Sequence, residues 1–259
     1  MAADFDTRYT NANIAQDAVP YNSELFIALR EKLSKTVSSE SLAAGIIIAI
    51  LCAQCRGDAV AHLVKDIPEG QTAEGVRTLF PAVREAITIA MPFVGLPNCM
   101  PACFGLVKEL KQRGIEEVEG PRREKLADVD YTARGLETTG ALYRGVGNSE
   151  VRTMIQQYFP ELSYFGRTAI WGYLVGSSPV FELRETEMIV LASIAAIGAT
   201  RQTRSHIKCA ISIGNSVPAV VALVDTVRAI GMWNGRPISN DLDVPQLAEE
   251  LRQNLASLD

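Results

Sequence analysis

Side chains able to move a proton near neutral pH are scarce in this chain. Among 259 residues there are two histidines, His62 and His206. Glu187 lies nineteen positions before His206. A carboxylate brought against an imidazole holds one ring tautomer and lets the ring take up and deliver a proton, the arrangement general acid–base catalysis needs. At helical spacing the face of His206 carries Ala199, Gln202, Thr203, Cys209, Ala210 and Ile213, a small and mostly apolar surrounding. The basic residues Arg201, Arg204 and Lys208 fall on another face, read as solvated or as an interface. His62 has Asp58 and Cys55 before it and Lys65 and Asp66 after it. Ala43 stands where a partner equivalent to Glu187 would be. A histidine on an apolar face is commonly a packing residue, so the carboxylate is what singles out His206.

Cysteine offers a rival chemistry. Cys52-Ala53-Gln54-Cys55 is a CxxC spacing, compatible with a dithiol–disulfide pair or half of a metal site. No second ligand pair stands at suitable spacing, so no metal is expected. In an apolar helix Cys52 and Cys55 read as buried thiols, and Cys99 and Cys103, in the Pro-rich run NCMPAC, read as packing residues. Five cysteines and no signal-like start point to free thiols in a reducing compartment, the cytoplasm being expected.

Long apolar stretches broken by helix starts and stops, with little strict alternation, predict an all-α fold. Glu187–Ile197 is apolar nearly all round and reads as a central helix; Glu187, at its entrance, would be favoured as the anion by the helix dipole. Gly198 ends it, Thr200 caps a helix over 201–213, Gly214 ends that, and Ser216 caps a third helix running to about Met232 with Pro218 in its first turn. The same order appears upstream. An apolar helix spans 41–53, a break falls at Arg56-Gly57, a His62 helix spans 58–67, and Thr72 caps a segment in which Pro81-Ala82-Val83 echoes Pro218-Ala219-Val220. The histidine-to-proline spacing is 19 residues in the first unit and 12 in the second, a seven-residue insertion. Residue identity between the units is low, so the repeat is one of pattern.

The organisation predicted is an N-terminal arm over 1–20, a degenerate first repeat over 21–112, a charged linker over 113–130 and a second repeat over 131–259. Two further helices are expected near 148–157 and 163–174. A net charge of −5 with no basic run argues against nucleic acid as partner. The run 42–54 is too short to cross a bilayer, and 86–107 carries Pro92, Pro97 and Pro101, so neither reads as a membrane span.

The segment RETEMIVLASIAAIGATRQTRSHIKCAI, 184–211, resembles the carboxymuconolactone decarboxylase family of the alkylhydroperoxidase D-like superfamily. The Glu-x18-His spacing matches, as do the apolar helix after the glutamate, the glycine before the histidine helix, and Trp171-Gly172 in the lead-in. The resemblance covers about two thirds of the chain. It implies an all-α fold that assembles as a homo-oligomer, a small-molecule substrate and no cofactor. In the peroxidase branch two cysteines stand seven and four residues before the histidine; here those positions are Ala199 and Gln202 in the second unit and Cys55 and Asp58 in the first. The decarboxylase branch fits better, with His206 and Glu187 as catalytic pair. Trp171, Tyr173 and Trp233 are expected as pocket walls, with Gln202, Cys209, His62 and Cys55 as further candidate substrate contacts. Tyr173 stands where relatives often carry a glutamate, so isomerisation, dehydration or cyclisation of a related scaffold stays open beside decarboxylation. A thiol-dependent antioxidant using Cys52 and Cys55, and a non-catalytic helical assembly protein, are the other readings.

Overall fold

A computed structural model describes residue 9 and residues 14–147, 149–239 and 241–258, and every regular element among them is helical. The expected arm falls mostly on residues outside this set. Residues 14–20 precede the first helix, and the Pro20 carbonyl accepts from Trp233 Nε1 at 3.2 Å.

The first half contains α1 (Ser23–Ser34), α2 (Glu40–Ala53), α3 (Val60–Asp66), α4 (Ala73–Val94) and α5 (Leu96–Gln112). Ser39 caps α2 through Leu42 N–H, and Thr72 caps α4 through Gly75 N–H. The expected seven-residue insertion is not a loop. Thr72 and Ser216, the caps of the following helices, each stand ten residues after their histidine, and the longer spacing arises because Pro81 lies well inside α4 whereas Pro218 lies in a first helical turn. The apolar run 86–107 is interrupted as expected, but at Gly95, whose φ of +88° an L side chain resists. Pro81 and Pro92 lie inside α4 and Pro101 inside α5.

Residues 113–130 form no helix, yet they include one anchored side chain. The Arg123 guanidinium is 6% exposed, forms a bidentate pair with Glu85 of α4, and donates to the carbonyls of Tyr173 and Leu174. The linker is therefore also a strap.

The second half contains α6 (Tyr131–Tyr143), α7 (Ser149–Tyr158), α8 (Pro160–Phe165), a π-helical segment (Gly166–Val175), α9 (Leu183–Ala196), α10 (Thr200–Ser212), α11 (Val217–Trp233) and α12 (Val244–Ala256). Gly198 and Gly214 close α9 and α10 with φ of +80° and +104°, and Ser216 caps α11 through Ala219 N–H. Two details differ from expectation. Glu182 and Glu185 form a capping box, so α9 starts four residues before Glu187. Thr200 is the first residue of α10, and the cap position, Ala199, makes no side-chain cap.

One hydrophobic core runs through both halves, from Phe26 to Leu247. At its centre the apolar helices α2 and α9 pack on each other, and α4 packs on both. Burial on all sides explains why both helices lack a polar face. The halves share an order of elements but not a packing. In the second, α10 lies along α9; in the first, α3 leans on α5 and α1 instead. The basic stripe of α10 faces α12, where Arg204 and Lys208 pair with Glu250.

Candidate active site

Glu187 is fully buried on α9 and His206 is 5% exposed on α10. Glu187 Oε1 lies 2.7 Å from His206 Nδ1, so the nineteen-residue spacing does join the pair across the α9–α10 turn. On the ring's other side, Tyr143 at the end of α6 brings its hydroxyl to 3.1 Å from His206 Nε2. Burial, with Cys209 and Glu187 nearby, holds the Tyr143 phenol well above its ordinary range. A protonated phenol donating to Nε2 would leave the ring proton on Nδ1, facing the carboxylate. The three groups form a directed chain from Tyr143 through His206 to Glu187.

Glu187 does not owe its state to the helix dipole. It is the fifth residue of α9, beyond the first turn where the dipole acts. Burial pushes its carboxyl up, and the adjacent His206 pulls only partly back. Its second oxygen, Oε2, is buried without a hydrogen-bond partner, a costly arrangement for a carboxylate in the core.

Trp171 stacks on the imidazole with planes 11° apart and centroids at 6.0 Å. Tyr143 meets both rings edge-on, and Phe93 of α4 backs the indole at 6.0 Å. Trp171 and Tyr143 are half-buried and cover the nearly closed histidine. The indole is held by the π-helical segment, which lies against α6 at very close range. A Cβ on Gly172 would stand 1.9 Å from the Tyr131 carbonyl oxygen, and one on Gly135 would stand 2.0 Å from that of Arg167. The Arg123 strap fixes the far end of the same segment through the Tyr173 and Leu174 carbonyls.

Cys209, one turn after His206, is buried beside the pair; burial and then Glu187 push its thiol far up, so it stays protonated. Glu187, His206 and Cys209 place donor atoms within 4.8 Å of one another, the one such trio among the described residues.

The other expected wall residues go elsewhere. Tyr173 packs edge-on against Tyr131 and under Arg123. Trp233 packs on Phe26 and beneath Arg56, in the first half. Gln202 is exposed. His62 is exposed and stacked on Tyr21. Cys55 is exposed, with its sulfur 3.5 Å from Asn98 Oδ1. Cys52 is buried with Cys99 as its most strongly interacting thiol; Cys99 raises the Cys52 thiol and is itself lowered by Cys52. The residue missed by sequence reasoning is Tyr143, whose only signal was its place in the segment leading to Trp171-Gly172.

No family model matches the chain, and no solved structure matches it significantly. A stretch of 111 residues is 27% identical to Peroxisomal protein 2 of Saccharomyces cerevisiae, covering 42% of this chain and 39% of that protein. No helix among the described residues is long and apolar enough to cross a membrane.

Proposed function

We propose that the chain is a cofactor-independent lyase or isomerase of the carboxymuconolactone decarboxylase type, acting on a small carboxylated lactone or an enolisable acid. The observation that carries this reading is the buried Tyr143–His206–Glu187 chain, with its 3.1 Å and 2.7 Å links. A substrate entering beneath Trp171 displaces the Tyr143 hydroxyl from Nε2. The hydroxyl then donates to the carbonyl oxygen where enolate charge develops, as an oxyanion-stabilising group does. In isomerisation, Nε2 takes the proton from the carbon beside that carbonyl, and Glu187 stabilises the imidazolium formed. The same proton returns to a different carbon, and no net charge is gained or lost. In decarboxylation, the imidazolium form supplies the proton that replaces departing carbon dioxide on carbon. Glu187, the buried carboxylate already hydrogen-bonded to Nδ1, pairs with the cation in both cases.

The compartment proposed is the cytoplasm, on the strength of the five free thiols. Peroxisomal protein 2, the partial relative, carries a name that refers to the peroxisome. The test is a panel of unsaturated γ-lactone carboxylates and β-keto acids, followed by carbon dioxide release and by deuterium uptake in D2O. His206→Asn is expected to lose about 100-fold or more of any turnover found. Full turnover by that variant would overturn the reading.

A further inference from the structure

Glu187, His206 and Cys209 bring three kinds of donor to one place. A carboxylate, an imidazole and a thiol, all buried, have ligand atoms within 4.8 Å of one another. The Tyr143–His206–Glu187 chain does not use all of this. Glu187 Oε2 is buried with no hydrogen-bond partner, an unmet acceptor in the core. Cys209, also fully buried, takes no part in the chain. His206 and Cys209 lie one turn apart on α10, and Glu187 lies on α9. The two helices pack on each other, so rigid elements set the spacing of the three side chains.

We infer that Glu187, His206 and Cys209 form a binding site for a thiophilic divalent cation, with Zn2+ as the ion that fits. Donor chemistry makes the choice. Thiolate and imidazole suit Zn2+, whereas Mg2+ and Ca2+ take oxygen ligands. Charge points the same way. One dication with one thiolate and one carboxylate sums to zero, the balance a desolvated core demands. The Cys209 proton leaves to solvent, because a coordinating thiol is deprotonated outright. The carboxylate, whose second oxygen lacks a partner, gains one. Three protein ligands leave a fourth tetrahedral position for water or an anion. Binding rests on the trio alone and does not require the proposed chemistry. Where that chemistry holds, Zn2+ opposes it, since the ion withdraws His206 and Glu187 from proton transfer. The site is then one of inhibition and not of cofactor supply.

The test titrates the full-length chain, reduced and stripped of metal, with Co2+ and then with Zn2+. Co2+ should give a sulfur-to-cobalt charge-transfer band in the near ultraviolet that saturates at one ion per chain, and Zn2+ should remove it. Cys209→Ser and, independently, His206→Asn should abolish the band. Each should weaken Zn2+ binding about 100-fold or more, beyond the loss of an outer-shell partner. Cys55→Ser/Cys103→Ser, at the exposed and half-buried thiols, should keep both. X-ray absorption on the wild-type Zn2+ complex, which needs no variant, should show a single sulfur at about 2.3 Å beside nitrogen and oxygen. A wild-type protein without the band overturns the inference, as does a band that survives Cys209→Ser with the helical circular dichroism intact. A zinc shell with more than one sulfur also overturns it and assigns the ion to the other cysteines. None of these readouts uses a substrate, so their failure is distinct from a failure of the proposed reaction.

Discussion

Glu187→Gln separates catalytic value from structural value at one atom. The change keeps the shape of the side chain and removes its charge. Glu187 is fully buried, its carboxyl is pushed up by desolvation, and Oε2 has no partner. A carboxyl that holds its proton more tightly folded than unfolded contributes stability that is complete below the ordinary carboxylate range. That contribution is lost as pH rises through the raised folded value. The wild-type protein should therefore lose thermal stability between mildly acidic pH and pH 8, and Glu187→Gln should flatten that slope. At pH 8 the variant gains about 1–2 kcal/mol, by analogy with neutralising buried ionic groups, which for a chain of this size is a rise of roughly 2–8 °C. Activity should move the other way. The 2.7 Å contact to Nδ1 is a charge-assisted hydrogen bond worth about 1.5–3 kcal/mol, so turnover should fall about 10–100-fold. Thermal unfolding scanned from pH 5 to 8.5, with the D2O exchange assay on the same samples, reads both. If the variant is less stable at every pH, the carboxylate is a structural necessity and the reasoning fails. If it is more stable and fully active, the pair is not catalytic.

Three further outcomes follow from the geometry. Tyr143 should show no phenolate absorbance in the folded protein at pH 11, because burial holds its phenol well above the ordinary range. Tyr143→Phe should remove one slow-titrating tyrosine from the spectrum and lower turnover about 10-fold or more. Arg123→Ala leaves Glu85 buried without its partner and frees two carbonyls of the π-helical segment. It should cost about 3–5 kcal/mol, seen as a lowered melting temperature, with a change in Trp171 fluorescence. Mild peroxide treatment followed by peptide mass spectrometry should link Cys52 to Cys99, the neighbouring thiol that perturbs it most, and not Cys52 to Cys55; a Cys52–Cys55 disulfide would reverse the assignment.

Local chemistry carried much of the fold. Gly198 and Gly214 with positive φ, and the Ser216 and Thr72 caps, are punctuation that acts over a few residues and reads directly from the chain. The Glu187–His206 pair was legible for the same reason, since one tight turn joins its two helices. Tyr143 was not, because it arrives from α6, 63 residues away, by a packing that no local period encodes. Trp171 was placed by resemblance, while Tyr173, two positions later on a helical segment, necessarily faces elsewhere and packs on Tyr131. Trp233 ends α11 on the side of the first half, where it meets Phe26 and Arg56. The parallel between His62 and His206 survives as order of elements but not as environment. α3 is not laid along an apolar helix as α10 is, and His62 is left at the surface.

The π-helical segment has a consequence for how this region can vary. Its wide turns hold one residue more per turn than an α-helix of the same span needs, and such bulges cluster at functional sites. Deleting a single residue from the ten-residue segment Gly166–Val175 would let one of its turns relax to ordinary α-helix and swing every later side chain by about 100°. Trp171 and the Leu174 carbonyl would then no longer both meet their present partners, His206 and Arg123. Length, together with the glycine at 172 and the indole at 171, is what this stretch must preserve. An insertion or deletion here acts as a change of gear between the exposed helices α7 and α8 and the buried histidine.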